Sequence, residues 1–286
     1  MNIFQRLQTI DRRILYILLA VVVAVPLLMR PSTHPSVIFD EVRGAFNTLN
    51  NIPKDKIVLI STVWSAGTEA ENGPQTEAIM RHLFKNGTKF AVVSWDPVGS
   101  KMTYDIGAKL EKELGKQYGT DWVHLGYIPG TSYTIMISVI SGMGKDFKGQ
   151  FKTDRAGTSL YRIPCLKNVN DHRQIAAAVE ITPSGTLETW IAWFATKHNV
   201  PLVYCPTAVM AAEAYKFLDS KQIAGMLNGV IGAAQYETLL GMGNQRTYAA
   251  RSSWALSCAH IYIILLIVLG NVGYILSRRA TQGRQR

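Results

Sequence analysis

Three cysteines in 286 residues, Cys165, Cys205 and Cys258, are too few and too scattered for a disulfide scaffold. None forms a C-x-x-C pair, and the six histidines show no H-E-x-x-H spacing. A zinc site and a dithiol redox centre therefore lose their usual sequence basis, and no metal is expected. The chain also lacks G-x-G-x-x-G, G-x-x-x-x-G-K-[ST] and the G-x-S-x-G elbow, so neither nucleotide binding nor an ordinary serine hydrolase is announced by motif, and no cofactor is expected. Charge is missing from two long stretches, Ile14 to Met29 and Trp254 to Leu276, and these organise everything between them.

The first apolar run, ILYILLAVVVAVPLLM, has 16 residues between Arg13 and Arg30. As a helix it spans about 24 Å, short of a hydrocarbon core of about 30 Å unless the flanking arginines snorkel. It is followed by Arg30-Pro31-Ser32-Thr33-His34-Pro35, without a small-x-small cleavage site, so an uncleaved signal anchor is expected. The second run, WALSCAHIYIILLIVLGNVGYIL, is 23 residues long and sufficient to span, with Trp254 and Tyr274 placed for the two interfaces. Arg6, Arg12 and Arg13 before the first run, and Arg278, Arg279, Arg284 and Arg286 after the second, place both termini in the cytoplasm by the positive-inside rule. The intervening domain is then extracytoplasmic. The net charge of +10 arises mostly from these flanks: residues 31–250 hold 21 basic and 19 acidic residues, a net of +2. No basic stripe interleaved with aromatics occurs there, and nucleic acid is not an expected partner.

Five segments between the runs read as strands: Ile57 to Val63, Lys89 to Trp95, Trp122 to Ile128, Ala177 to Thr182 and Pro201 to Cys205. Their near-continuous apolar character is that of strands covered on both faces. Helical stretches separate them. One follows Gly73-Pro74 with Ile79, Met80, Leu83 and Phe84 on one face; a second repeats Met102, Ile106, Leu110 and Leu114; a third presents Leu187, Trp190, Ile191 and Phe194. Crossovers of this length join parallel strands. The expected fold is α/β, a Rossmann-like three-layer domain with a mostly parallel sheet of about five strands, flanked by two transmembrane helices. Its organisation reads as an N-terminus and signal anchor (1–30), a juxtamembrane tether with a short helix near Val37 to Val42 (31–55), the α/β domain (56–250), a transmembrane helix (251–277) and a basic tail (278–286). Residues 131–141 are expected to be helical and residues 142–175 to form a loop excursion or partner-facing insertion. After Asp219-Ser220 as cap, one helix is expected to align Gly225, Gly229 and Gly232 as a smooth face for the domain's own sheet or for another subunit.

Ligands of open parallel sheets bind at the carboxyl ends of the strands. The candidate binding residues are therefore Ser65, Thr68, Glu69 and Asn72 in the loop after the first strand, Asp96 after the second, and Ser184 ahead of the third helix. Asp96-Pro97 is equally a turn opener, and Ser184 a helix cap. A hydrolase would need Ser184 or Ser65 as nucleophile with His124 or His172 as base, and His124 falls inside an apolar strand, where a core histidine is the simpler reading; Cys205 could furnish a thiol nucleophile, but nothing nearby in sequence identifies its base. In the second apolar run, Gly270, Asn271 and Gly273 form a candidate helix contact. These readings converge on a non-catalytic subunit or scaffold of a membrane assembly, with the lipid bilayer and other membrane subunits or further copies of the chain as partners. A small-molecule binding or sensing domain is the alternative, and a membrane-anchored hydrolase the third.

Overall fold

The computed structural model describes residues 11–29, 35–129 and 133–283. Arg6, Arg30, Arg284 and Arg286, residues 31–34 of the expected tether, and Thr131 and Ser132 lie outside the described residues. Two compact units are present, one of residues 34–243 and one formed by residues 1–33 with 244–286.

In the second of these units, helices α1 (Arg12–Met29) and α10 (Tyr248–Gly283) pack against each other. Both are long and apolar enough to cross a membrane. Tyr262 donates its hydroxyl to the Leu15 carbonyl at 3.0 Å, a polar link between two apolar rods. Leu18, Val21 and Leu28 on α1 and Ile264, Leu265, Ile267 and Val268 on α10 are exposed, the reverse of a water-soluble helix. Gly270 and Asn271 are exposed on α10; a Cβ at Gly270 would meet nothing within 4 Å, whereas Gly273 is buried.

The larger unit runs α2 (Asp40–Asn50), β1 (Ile57–Thr62), α3 (Glu69–Lys85), β2 (Lys89–Ser94), α4 (Pro97–Leu114), β3 (Trp122–Tyr127), α5 (Tyr133–Met143), β4 (Ile175–Thr182), α6 (Leu187–Trp190), a π-helical turn (Ile191–Ala195), α7 (Thr196–His198), β5 (Leu202–Pro206), α8 (Ala208–Asp219), β6 (Gly225–Met226) and α9 (Gly229–Leu239). All six strands are parallel, in the order β3-β2-β1-β4-β5-β6. Chain direction across the sheet reverses between β1 and β4, the switch point at which two carboxyl-end loops part.

Each strand residue commits to one of two cores. Leu59, Val93, Val123, Ala178 and Leu202 face a layer built from α5, residues 147–169, α6 and α8. Ile60, Val92, Trp122, Val179 and Val203 face α2, α3, α4 and α9. Burial on both faces explains why the strands lack alternation. Helix α4 shows how local chemistry sets its limits: Asp96 accepts from the Gly99 amide at 2.7 Å, Pro97 starts the first turn, and Gly115 closes the helix at φ 62°.

Four expectations change. Residues 142–175 are irregular, but Phe147, Phe151, Leu160, Ile163, Leu166 and Val169 are buried against the sheet, so the excursion is a core layer built from short 3-10 turns. The expected tether contains α2, whose Val42, Ala45 and Leu49 are buried in the domain core. Pro74 lies inside α3, which already begins at Glu69. Finally, Asp219 ends a helix instead of opening one, Gly225 belongs to the sixth strand, and Gly229 starts α9 at φ 52°. The three glycines do not share a helix face. Gly225 admits the α2 backbone, since a Cβ would stand 2.0 Å from the Ala45 nitrogen; at Gly229 it would stand 2.5 Å from Glu71 Oε2, and at Gly232 2.6 Å from the Leu227 carbonyl carbon. A short edge strand pressed against a helix explains the composition, since it needs small residues as much as a helix contact does.

Candidate functional site at the carboxyl edge

The switch point brings the loops after β1 and β4 side by side, and all six candidate residues lie at this end of the sheet: Ser65, Thr68, Glu69 and Asn72 after β1, Asp96 after β2 and Ser184 after β4. Their side chains do not form one pocket wall. Asn72 is fully buried and donates to Gln75 Oε1 at 2.8 Å, while Gln75 donates to the carbonyls of Pro206 and Leu227 at 2.7 and 2.8 Å. This pair staples α3 to the ends of β5 and β6. Asp96 is spent on capping α4. Ser184 is not a helix cap: its hydroxyl bonds Thr182 Oγ1 at 2.8 Å and its amide donates to the same oxygen at 3.0 Å, whereas the residue preceding α6 is Thr186. Ser65 is half-buried ahead of a 3-10 turn, Thr68 Oγ1 is buried without a partner, and Glu69 is exposed. The first loop also carries Trp64, fully buried, where a dinucleotide fold would need small residues for close backbone approach.

The polar group that the topology does place at the switch point is Glu180. It lies on β4 opposite Ser61 of β1 and Tyr204 of β5, completely buried. Thr186 donates to Glu180 Oε1 at 2.6 Å, and Trp95 Nε1 donates at 3.0 Å to the Oγ of Ser61, the residue paired with Glu180 on β1. Glu180 Oε2 has no hydrogen-bond partner among the described residues. Burial pushes this carboxyl up to about 8, against the weaker downward pull of the Ser61 and Thr186 hydroxyls. Near neutral pH it is therefore largely a neutral acid, able to donate as well as accept. Tyr204 is raised by burial and by the nearby Glu180, and it lines a small cleft with Gly185, Met210 and Glu213. An acid within the apolar run AAVEIT was the sequence signal for this site; in a strand covered on both faces such a side chain has no route to water.

The hydrolase elements are not assembled. Cys205 is buried on the opposite face of the sheet and its thiol is pushed up by burial, while Cys165 belongs to the first core and is pushed up to about 12; both are free. His124 is a core histidine, its Nδ1 accepting from the Gly126 amide at 3.0 Å and burial with the Arg155 charge pushing it down to about 3. His172 stands before β4, at the opposite edge from Ser184. Among the described residues no group of three or more metal-ligating side chains occurs. No protein-family model matches the chain, and no curated protein is similar to it.

Proposed function

We propose that this protein is a doubly membrane-anchored, Rossmann-like α/β domain that serves as a non-catalytic subunit or scaffold of a membrane assembly, with both termini cytoplasmic and the α/β unit outside the cytoplasm. The observation that carries the reading is the packed pair α1 and α10, two helices of spanning length and composition whose outward side chains are apolar. The α/β unit begins with α2 and ends with α9, which pack on the same side of the sheet. Two anchors fix orientation and restrict diffusion to the membrane plane, properties of use to a scaffold and costly to a freely diffusing enzyme. The side chains that could serve hydrolysis are held in structural bonds or buried apart, which supports a role without turnover.

Extraction of native membranes with a mild detergent, followed by size separation and an inventory of the co-migrating chains, tests this. Elution in a stable assembly with other subunits, or with further copies of the chain, is expected; elution as a lone chain under conditions that preserve known membrane complexes refutes the scaffold. Protease added to sealed right-side-out cells is expected to digest residues 60–240. Protection until lysis would reverse the assigned sidedness.

A second reading, ligand binding at the switch point, is favoured by the unpaired oxygen of Glu180 beside Thr186 and Tyr204. A neutral buried acid selects polar groups that both donate and accept. Retention of a small molecule through purification, lost in Glu180→Leu, would support it over the scaffold.

A further inference from the structure

The amino edge of the same sheet carries a cleft to which the switch-point chemistry assigns no role. About 430 Å³ in volume, it opens at the start of β4 and ahead of β1 and β5, and its wall includes Lys56, His172, Arg173, Ala176, His198 and Asn199. No carboxylate is among the described residues of that wall.

Two departures from regular backbone lie in its wall, and a third leads into it. Ile57 pairs with Ile175 but Val58 with Ala177, so Ala176 is the extra residue of a bulge. The π-helical turn Ile191–Ala195 precedes His198, and Asn199 adopts a left-handed conformation at φ 53°. Bulges and π turns recur where a chain re-aims side chains at a site. Here they bring two histidines from distant segments face to face: the rings of His172 and His198 stack with centroids 4.1 Å apart. His172 Nδ1 lies 2.7 Å from the Gly144 carbonyl, which only accepts, so that nitrogen carries the proton. His198 Nε2 is buried without a partner among the described residues, and Gly144 makes room for it, since a Cβ there would stand 2.2 Å away.

The surrounding charges are predominantly positive. Lys56 precedes β1 and forms no ion pair among the described residues; Lys145 follows α5 and Lys197 lies on α7. Of the acids, Asp171 is clamped by Arg173, with Nη2 to Oδ2 at 2.6 Å, and Asp146 accepts from the Gly149 amide. Desolvation, then His172 and Lys197, hold His198 below the ordinary histidine value. Opposite charge brought into the cleft would relieve that repulsion.

We propose that this cleft binds an oxyanion, the phosphate or carboxylate of a small ligand or of a lipid headgroup, between Lys56 and the His172–His198 pair. The site shares no residue with the switch point and stands or falls independently of the scaffold role. Anion binding favours the protonated form of His198, so affinity rises as pH falls.

Sulfate, whose charge is constant near neutral pH, is the probe, titrated calorimetrically into the full chain in uncharged maltoside micelles. Saturable binding is expected, tighter at about pH 6 than at about pH 7.5. Lys56→Gln and His172→Gln are expected to weaken it about tenfold, while Lys56→Arg and the distant Lys101→Gln retain it. His172→Gln can disturb the ring stack, so Lys56→Gln, checked by its unchanged melting curve, decides the matter. Absence of saturable binding to the unaltered chain, or equal binding by Lys56→Gln, overturns the proposal. Nanodiscs distinguish the source: if a lipid headgroup fills the cleft, phosphatidylglycerol suppresses sulfate binding relative to phosphatidylcholine alone, and if a soluble anion does, the two affinities agree.

Discussion

At the carboxyl edge of the sheet, Asn72, Gln75, Asp96, Thr182, Ser184 and Thr186 are bonded to one another or to backbone, and Trp64 and Trp95 are fully buried, one in each core. At the amino edge, Lys56 and the stacked histidines border an open cleft with much of their bonding capacity uncommitted. The contrast inverts the usual division of labour in doubly wound sheets, whose ligands gather at the carboxyl ends. It teaches that topology nominates a site and side-chain bonding decides whether the nomination is taken up. Glu180 is the carboxyl-edge acid whose chemistry stays incomplete, because burial keeps it neutral and leaves Oε2 without a partner among the described residues.

Substitutions at the two edges should therefore differ in kind. The largest effect is expected from Gly99→Ala, which would drive a Cβ to 1.8 Å from the Trp64 carbonyl oxygen, backbone against backbone. A loss of about 3 kcal/mol or more is expected in denaturant melts, and a near-neutral result would show that the carboxyl edge is looser than described. Glu180→Gln comes next, and its effect depends on pH. The ordinary carboxyl value is 4.5 and the folded one about 8, so the folded state binds the proton more tightly. Stability from this group is complete below pH 4.5 and is lost as pH rises towards 8, because the unfolded carboxyl ionises first. The amide removes that loss. Relative to the unaltered chain, Glu180→Gln should gain on the order of 3 kcal/mol between about pH 5 and about pH 8; a pH-independent difference would mean that Glu180 is ionised in the fold. Asp96→Ala deletes a cap and should cost about 1 kcal/mol, read as a lowered melting midpoint. The smallest effect belongs to the amino edge: Lys56→Gln should change stability by no more than about 0.5 kcal/mol. A larger cost would make that lysine structural and erase the contrast.

How much of this was legible beforehand varies element by element. The strand at Ile57–Thr62 could be read because six buried residues in a row leave an apolar signature. Helix α4 was legible from its period, whereas Asp96-Pro97, read as a turn opener, turned out to cap it. Strand β6 was not: Gly225-Met226 is two residues long, and its glycine exists to admit the α2 backbone, a requirement set by a segment 180 positions away. The packed layer of residues 142–175 has buried aromatics without periodicity, which sequence reasoning takes for a loop. The six candidate residues lie at the carboxyl edge to which their place after the strands assigns them, but the hydrogen bonds of those that are bonded run to partners such as Thr182, Gln75 and Gly99, whose positions no spacing rule specifies. Glu180 was visible as an acid within an apolar strand and carried no meaning until its neighbours on β1 and β5 were known.

Composition and periodicity alone determined the α/β class, the two apolar helices at the chain ends and the strand–helix rhythm between them, because each depends on interactions within a few residues or on bulk transfer from water. The sixth strand, the structural use of the carboxyl-edge side chains, the isolation of Cys205 from any base and the pairing of His172 with His198 were decided only in three dimensions. Those features depend on contacts between residues tens of positions apart, and such contacts follow from how layers pack and not from what any one segment prefers.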